Sequence, residues 1–226
     1  MPGTSDIART AAIVATFVGQ PRPIGEIRGR TVVSAIAKAP VMAPWLDLSA
    51  TNLAGDRQAD LSVHGGPDKA VYVYPAHHYP AWQADGFDVE VGGFGENVTL
   101  AGVSEDHVCL GDTWRWGEAL VEVSQPRAPC YKLSLHTGRK DVGPRMLVTG
   151  RCGWYLRVLE TGTVPTVGAL TLERRDADAP TVAEAFAAMF DDERAARTDV
   201  VARVLASPAL AAAWREPLLA RRGVSA

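Results

Sequence analysis

Cysteine is scarce in this chain: Cys109, Cys130 and Cys152 are all there is in 226 residues. Three scattered thiols cannot build a disulfide framework, and none belongs to a C-x-x-C pair of zinc-site type. Reduced thiols in a cytoplasm fit that count. An excess of positive charge is also missing, because 23 Lys and Arg stand against 26 Asp and Glu, a formal charge of -3. A nucleic-acid partner is therefore not expected, since it would call for Lys and Arg gathered on a basic domain. No run reaches the roughly 20 apolar residues of a membrane-spanning helix. The stretch AAIVATFVG, Ala11 to Gly19, is short, β-branched and followed by no small-residue cleavage pattern, so it reads as a first strand rather than a secretion signal. Repeats and low-complexity tracts are absent too. What remains is a soluble cytoplasmic protein with no membrane partner, built as one large domain or as one domain with an appendage.

What is present, from Ile13 to about Leu172, is a series of short β-type runs cut by Gly and Pro: IVATFV, AVYVY, NVTL, TWRW, ALVEV, WYLRVL and ALTLE. Many short strands at this spacing predict a barrel or sandwich. In one hairpin Trp114 and Trp116 alternate with Arg115, Gly117-Glu118 supplies a Gly-X turn of type II′, and the returning strand delivers the chain to Gln125. Helical insertions are expected around PAHHYPAWQ, where Pro80 should kink or end the helix opened by Pro75, and around YKLSLHTG continuing toward GPRMLVTG. Residues 173–180 read as a linker after a β domain spanning 1–172. Residues 181–226 then read as three short helices. Thr181 and Glu184 form a capping box for the first, Asp191 or Asp192 caps the second, and Ser207-Pro208 starts a third with Leu210, Trp214 and Leu218 on one stripe.

Four clusters carry more Gly and charge than turns require: VHGGPDKAV, GGFGENVTL, LGDTWRWG and QPRAPCYKL. Glycines let backbone amides approach an anion and neighbouring cations add charge, so the first, second and fourth could jointly hold a phosphorylated ligand; tight turns alone are the competing reading. In the last cluster Cys130 lies between Arg127 and Lys132 in a loop fixed by two prolines. Adjacent cations favour a thiolate, which is a soft metal donor or a nucleophile, whereas a free cysteine in general is more often a buried filler. Cys109 and Cys152 lack that setting and are read as core. His77 and His78, adjacent in sequence, should point in different directions on a helix and make a poor zinc pair, and His107 and His136 have no metal spacing.

Taken in order, HGGPDKAVYVYP, HYPAW, FGENVTL, GDTWRWGEALVEVSQPRAPCYKL and TGRCGWYLRVLETG closely resemble the MOSC family, in its YiiM-like branch. The resemblance runs from about Arg28 to Val164, and the tail resembles that branch's three-helix C-terminal segment. It implies a mainly β fold, a MOSC-type β-barrel with a few helical insertions and a small three-helix bundle. It also implies molybdenum cofactor (molybdopterin), with Cys130 as catalytic residue and molybdenum ligand. His64, Gly65, Gly66 and Lys69, then Gly95, Glu96 and Asn97, then Gln125 and Arg127 would surround the pterin and its phosphate. The implied activity is reduction of N-hydroxylated small molecules, hydroxylaminopurine-type bases included, to amines, with the cofactor performing the redox chemistry. The competing role is a non-catalytic carrier of the cofactor or of activated sulfur; a metal-free cysteine enzyme is a third. Three scattered cysteines cannot ligate a plant-type iron–sulfur cluster, so electrons would come from a separate reductase. The tail would serve as packing first, and otherwise as that reductase's docking surface or a homodimer contact.

Overall fold

In a computed structural model of the chain, residues 9–59, 65–191, 193 and 198–221 are described. Strand β1 (Thr10–Val18) opens the fold. It is followed by the hairpin β2 (Arg22–Ile27) and β3 (Arg30–Ser34), then β4 (Ala39–Pro40) and β5 (Trp45–Leu48). A single 3-10 turn, Pro67–Lys69, leads into β6 (Val71–Pro75) and helix α1 (His78–Ala84). Next come β7 (Val98–Ala101), β8 (Thr113–Trp116), β9 (Ala119–Pro126), α2 (Tyr131–Thr137) and α3 (Val142–Thr149). Strands β10 (Trp154–Glu160), β11 (Gly162–Pro165) and β12 (Gly168–Arg174) precede α4 (Val182–Phe190), α5 (Thr198–Ala206) and α6 (Ala212–Arg221).

Seven strands hydrogen-bond in the order β12-β8-β9-β10-β6-β7-β1, and β1 pairs back onto β12 to close a barrel. Closure leaves none of the seven with a bare edge. Every contact in this ring is antiparallel except β6 with β7. A parallel pair needs a crossover, here the segment carrying α1, so the glycine loops that lead into β6 and into β7 arrive at the same end. Gly117 has φ +59 while Glu118 stays at negative φ, as a Gly-first hairpin turn demands. Trp116 pairs Ala119 across it.

Strand β9 shows how burial follows environment. Its first half alternates, but Val123 to Pro126 are buried on both faces, because α4 packs on the strand from outside. One continuous core joins barrel residues such as Trp116, Val121 and Trp154 to Val182, Phe186, Val204, Trp214 and Leu218 of the helices. Each such side chain contributes about 1.5–3 kcal/mol by leaving water.

Several local expectations shift. Pro75 ends β6, and α1 begins only at His78, so Pro80 falls in the first turn and neither kinks nor ends the helix. The third C-terminal helix starts at Ala212, and Ser207 to Leu210 form a separate turn closed by the Leu210 amide on the Ser207 carbonyl, 3.3 Å. β12 runs through Arg174, and Arg175 beyond it pairs with buried Asp112. Asp191 ends α4, and Asp192 lies outside the described residues. The Thr181–Glu184 capping box is formed in both directions.

Candidate functional site

Strand pairing sets a row of residues around one level of the barrel. Gln125 of β9 pairs Tyr155 of β10, Tyr155 pairs Tyr72 of β6, and Asn97 exchanges backbone and side-chain hydrogen bonds with Tyr72 at 2.8 and 3.0 Å. β9 ends at Pro126, which has no amide to continue a ladder. Arg127 then turns inward, its amide on the Gly153 carbonyl at 3.2 Å. That approach requires glycine at 153: its φ is +66, and a Cβ would stand 2.3 Å from the Val73 carbonyl oxygen. Cys130 is extended, with φ -131 and ψ 158, and its carbonyl accepts the first α2 bond from the Leu133 amide. The thiol is thereby set at the mouth of a cleft rather than inside a helix.

That cleft encloses about 620 Å³. Lys38, Arg57, Lys69, Arg127 and Lys132 line it against a single carboxylate, Asp56, with Cys130, Tyr72 and Tyr155 between them. Asp56 is neutralised within the wall. It accepts from the Lys38 ammonium, the Gly19 amide at 2.7 Å and Asn97 Nδ2 at 2.9 Å. The Lys38 and Asp56 side chains are 7% and 1% exposed. Gly95 closes the rim at φ +77, where a Cβ would strike Ile36 Cγ1 at 2.5 Å. A second cleft borders the other side of Cys130, between Gln125, Arg127, Pro129 and Tyr131 and the α6 residues Ala213 and Trp214.

Of the residues singled out from the sequence, Gly65, Lys69, Gly95, Asn97, Arg127 and Cys130 line the first cleft together. Gly66, φ +84, precedes the 3-10 turn and is not in the lining. Gln125 borders the second cleft. Glu96 faces away, fully buried, accepting from the Tyr79 and Thr99 hydroxyls and the Gly92 and Phe94 amides. His64 lies outside the described residues. Lys38, Asp56 and Arg57 escaped the sequence reading because no motif joins them. Their faint signal was a lone charge inside each of the Ala, Pro and Gly-rich stretches AIAKAP and LAGDRQ.

Electrostatics separate the three thiols. Burial and the Asp112 carboxylate push Cys109 up to about 11. Burial, reinforced by Glu105, raises Cys152 well above the usual thiol range. Both are therefore protonated core residues, and Cys130, half-buried, is the thiol that opens onto the cations. Burial also lowers Lys69 and Lys38, opposed at Lys38 by Asp56 and at Lys69 by Asp68. Arg127 is 5% exposed, lies 5.4 Å over the Tyr72 ring and reaches Met146 Sδ at 3.4 Å. Burial alone would lower its pKa, but Tyr72, Cys130 and Tyr155 around it hold it above its ordinary value.

His77 and His78 do not diverge as the sequence suggested. His77 sits at the α1 N-cap, and the two rings lie 4.1 Å apart beside Glu105. No helix among the described residues is long and apolar enough to cross a membrane.

Comparison with known proteins places this architecture. The MOSC domain profile matches residues 60–169. Protein YiiM of Escherichia coli is 41% identical over 84% of this chain and 84% of its own length. A longer protein of Gibberella moniliformis named "Reductase" is 38% identical over 65% of this chain, which spans 27% of that protein. The crystal structure of YiiM from Geobacillus stearothermophilus superposes with a TM-score of 0.76 at 34% identity, covering 93% of this chain and 98% of that one.

Proposed function

The chain belongs to the MOSC domain family, and from that premise we propose that it is a cytoplasmic, molybdenum-cofactor-dependent reductase of N-hydroxylated compounds, hydroxylaminopurine-type bases among them, that detoxifies them as amines. The observation that carries this reading is that Cys130 opens onto the cleft lined by five cations and one already neutralised carboxylate. The residues present fit the cofactor. Its phosphate calls for cations, its soft metal for a thiolate, and the buried Gln125 Oε1 has no hydrogen-bond partner in the protein. An acceptor left in that state costs about 1–3 kcal/mol, which a donor from a bound group would remove. The name of the fungal relative agrees with a reductase.

When bound, the cofactor supplies the two-electron reduction of the N–O bond. Cys130 Sγ would ligate molybdenum, its direction fixed by Pro129 and by the start of α2. Arg127, Lys69 and Lys38 would hold the anionic end, Asp56 and Asn97 keeping Lys38 in place. The second cleft gives the substrate its own approach to Cys130, against Trp214 and Gln125. Electrons come from a separate reductase.

The test is expression with and without cofactor supply, followed by bound-molybdenum measurement and hydroxylaminopurine turnover with an artificial donor. One molybdenum per chain with turnover is expected. Absence of molybdenum under replete supply overturns the reading, and exchangeable cofactor without turnover replaces it with a carrier.

A further inference from the structure

Outside the cleft, two imidazoles and a carboxylate converge where the sequence pattern spoke against it. We propose that His77, His78 and Glu105 form a site for a borderline divalent cation of the zinc type, independent of the molybdenum reading. One ligand atom from each residue lies within 4.8 Å of the other two, and none of the three lines the cleft.

The carboxylate is held from behind. Glu105 Oε1 accepts the Cys152 and Gly153 amides at 3.0 and 2.7 Å, which turns Oε2 toward His78 Nε2 at 2.8 Å. Outer partners that fix a ligand's orientation in this way are the usual companions of a metal centre. His78 is buried with its ring edge-on to Tyr74 at 5.5 Å, whereas His77 is exposed and can swing in. Two imidazole nitrogens, one carboxylate oxygen and a remaining solvent position make a ligand set that suits zinc better than magnesium or calcium. Ligand distances of roughly 2.0–2.2 Å place tetrahedral donors about 3.3 Å apart, so the His78–Glu105 contact opens by about half an ångström on binding.

Such an ion would clamp the β6–α1 turn to the loop after β7 and to the Cys152–Gly153 segment. Its readout is therefore stability, because the Gly153 carbonyl holds the Arg127 amide. Chelator-stripped full-length protein is titrated with Zn²⁺ while its melting temperature is followed, and with Co²⁺ while visible absorption is followed. The expected result is one equivalent per chain, a raised melting temperature, and tetrahedral Co²⁺ bands without a thiolate charge-transfer band. His77→Ala, at an exposed position, keeps the fold and weakens affinity by about a hundredfold, at or beyond the loss that follows removal of an outer-shell partner. His107→Ala leaves the affinity unchanged. Failure to bind an equivalent, binding unaffected by His77→Ala, or a thiolate band abolished by Cys130→Ala would each overturn the site. The pair would then be a plain His–Glu contact.

Discussion

Two buried polar clusters lie close together in this protein and behave oppositely. Around Glu96 the polar groups close on themselves: one carboxylate meets two hydroxyls and two amides and leaves the loop from Gly92 to Asn97 fixed. Across the rim, Lys38, Arg57, Lys69, Arg127 and Lys132 face one acid, and Gln125 beyond Cys130 keeps a bare acceptor. Buried charge is costly unless matched. A cluster matched internally shapes the backbone, whereas one with charge left over is arranged for something that is not protein. Both clusters came from the same kind of Gly-rich motif, so composition alone does not separate them.

The contrast can be broken at four points. The largest effect is expected from Cys130→Ala, which should lower bound molybdenum and N-hydroxylated substrate turnover by more than a hundredfold, above the loss caused by an outer-shell change. Its melting temperature should stay near that of the parent. Next, Asp56→Ala strands the Lys38 ammonium in the wall, and loss of one partner of a buried pair costs about 3–5 kcal/mol, readable as a lower urea midpoint. Glu96→Gln tests the closed cluster: an amide nitrogen must meet amide or hydroxyl donors, so stability should fall by about 1–3 kcal/mol in the same titration.

The smallest effect is a pH dependence. Burial lowers the Lys69 and Lys38 pKa values from 10.5, so folding disfavours their charged forms. That penalty is present while both states are protonated and is relieved as pH rises through the lowered folded pKa. Affinity for inorganic pyrophosphate should therefore begin to fall below pH 10.5, with proton uptake on binding. Lys69→Met should weaken affinity at neutral pH by about tenfold, one charge-assisted contact, and flatten the profile. An unchanged profile would remove Lys69 from the anion site.

The β-barrel was legible because its strands are short, apolar and punctuated by Gly and Pro. The Gly117-Glu118 turn and the Thr181–Glu184 box were legible because each is a local hydrogen-bond device with fixed spacing. The start of α6 was not, because Ser207-Pro208 has the chemistry of a helix opening but is used for a turn. The grouping of Gly65, Lys69, Gly95, Asn97, Arg127 and Cys130 on one cleft followed from motif resemblance, whereas Lys38 and Asp56 reach it through strand order that no local pattern encodes.

The sequence by itself determined the strand grammar, the rigid turn that presents Cys130, and the family, since each rests on residues near one another in the chain. Only the tertiary structure decided which charges are left over, which thiols are sealed in the core, and that His77 and His78 meet Glu105. Those depend on barrel closure and on the β6–α1–β7 crossover, which set distances between residues tens of positions apart.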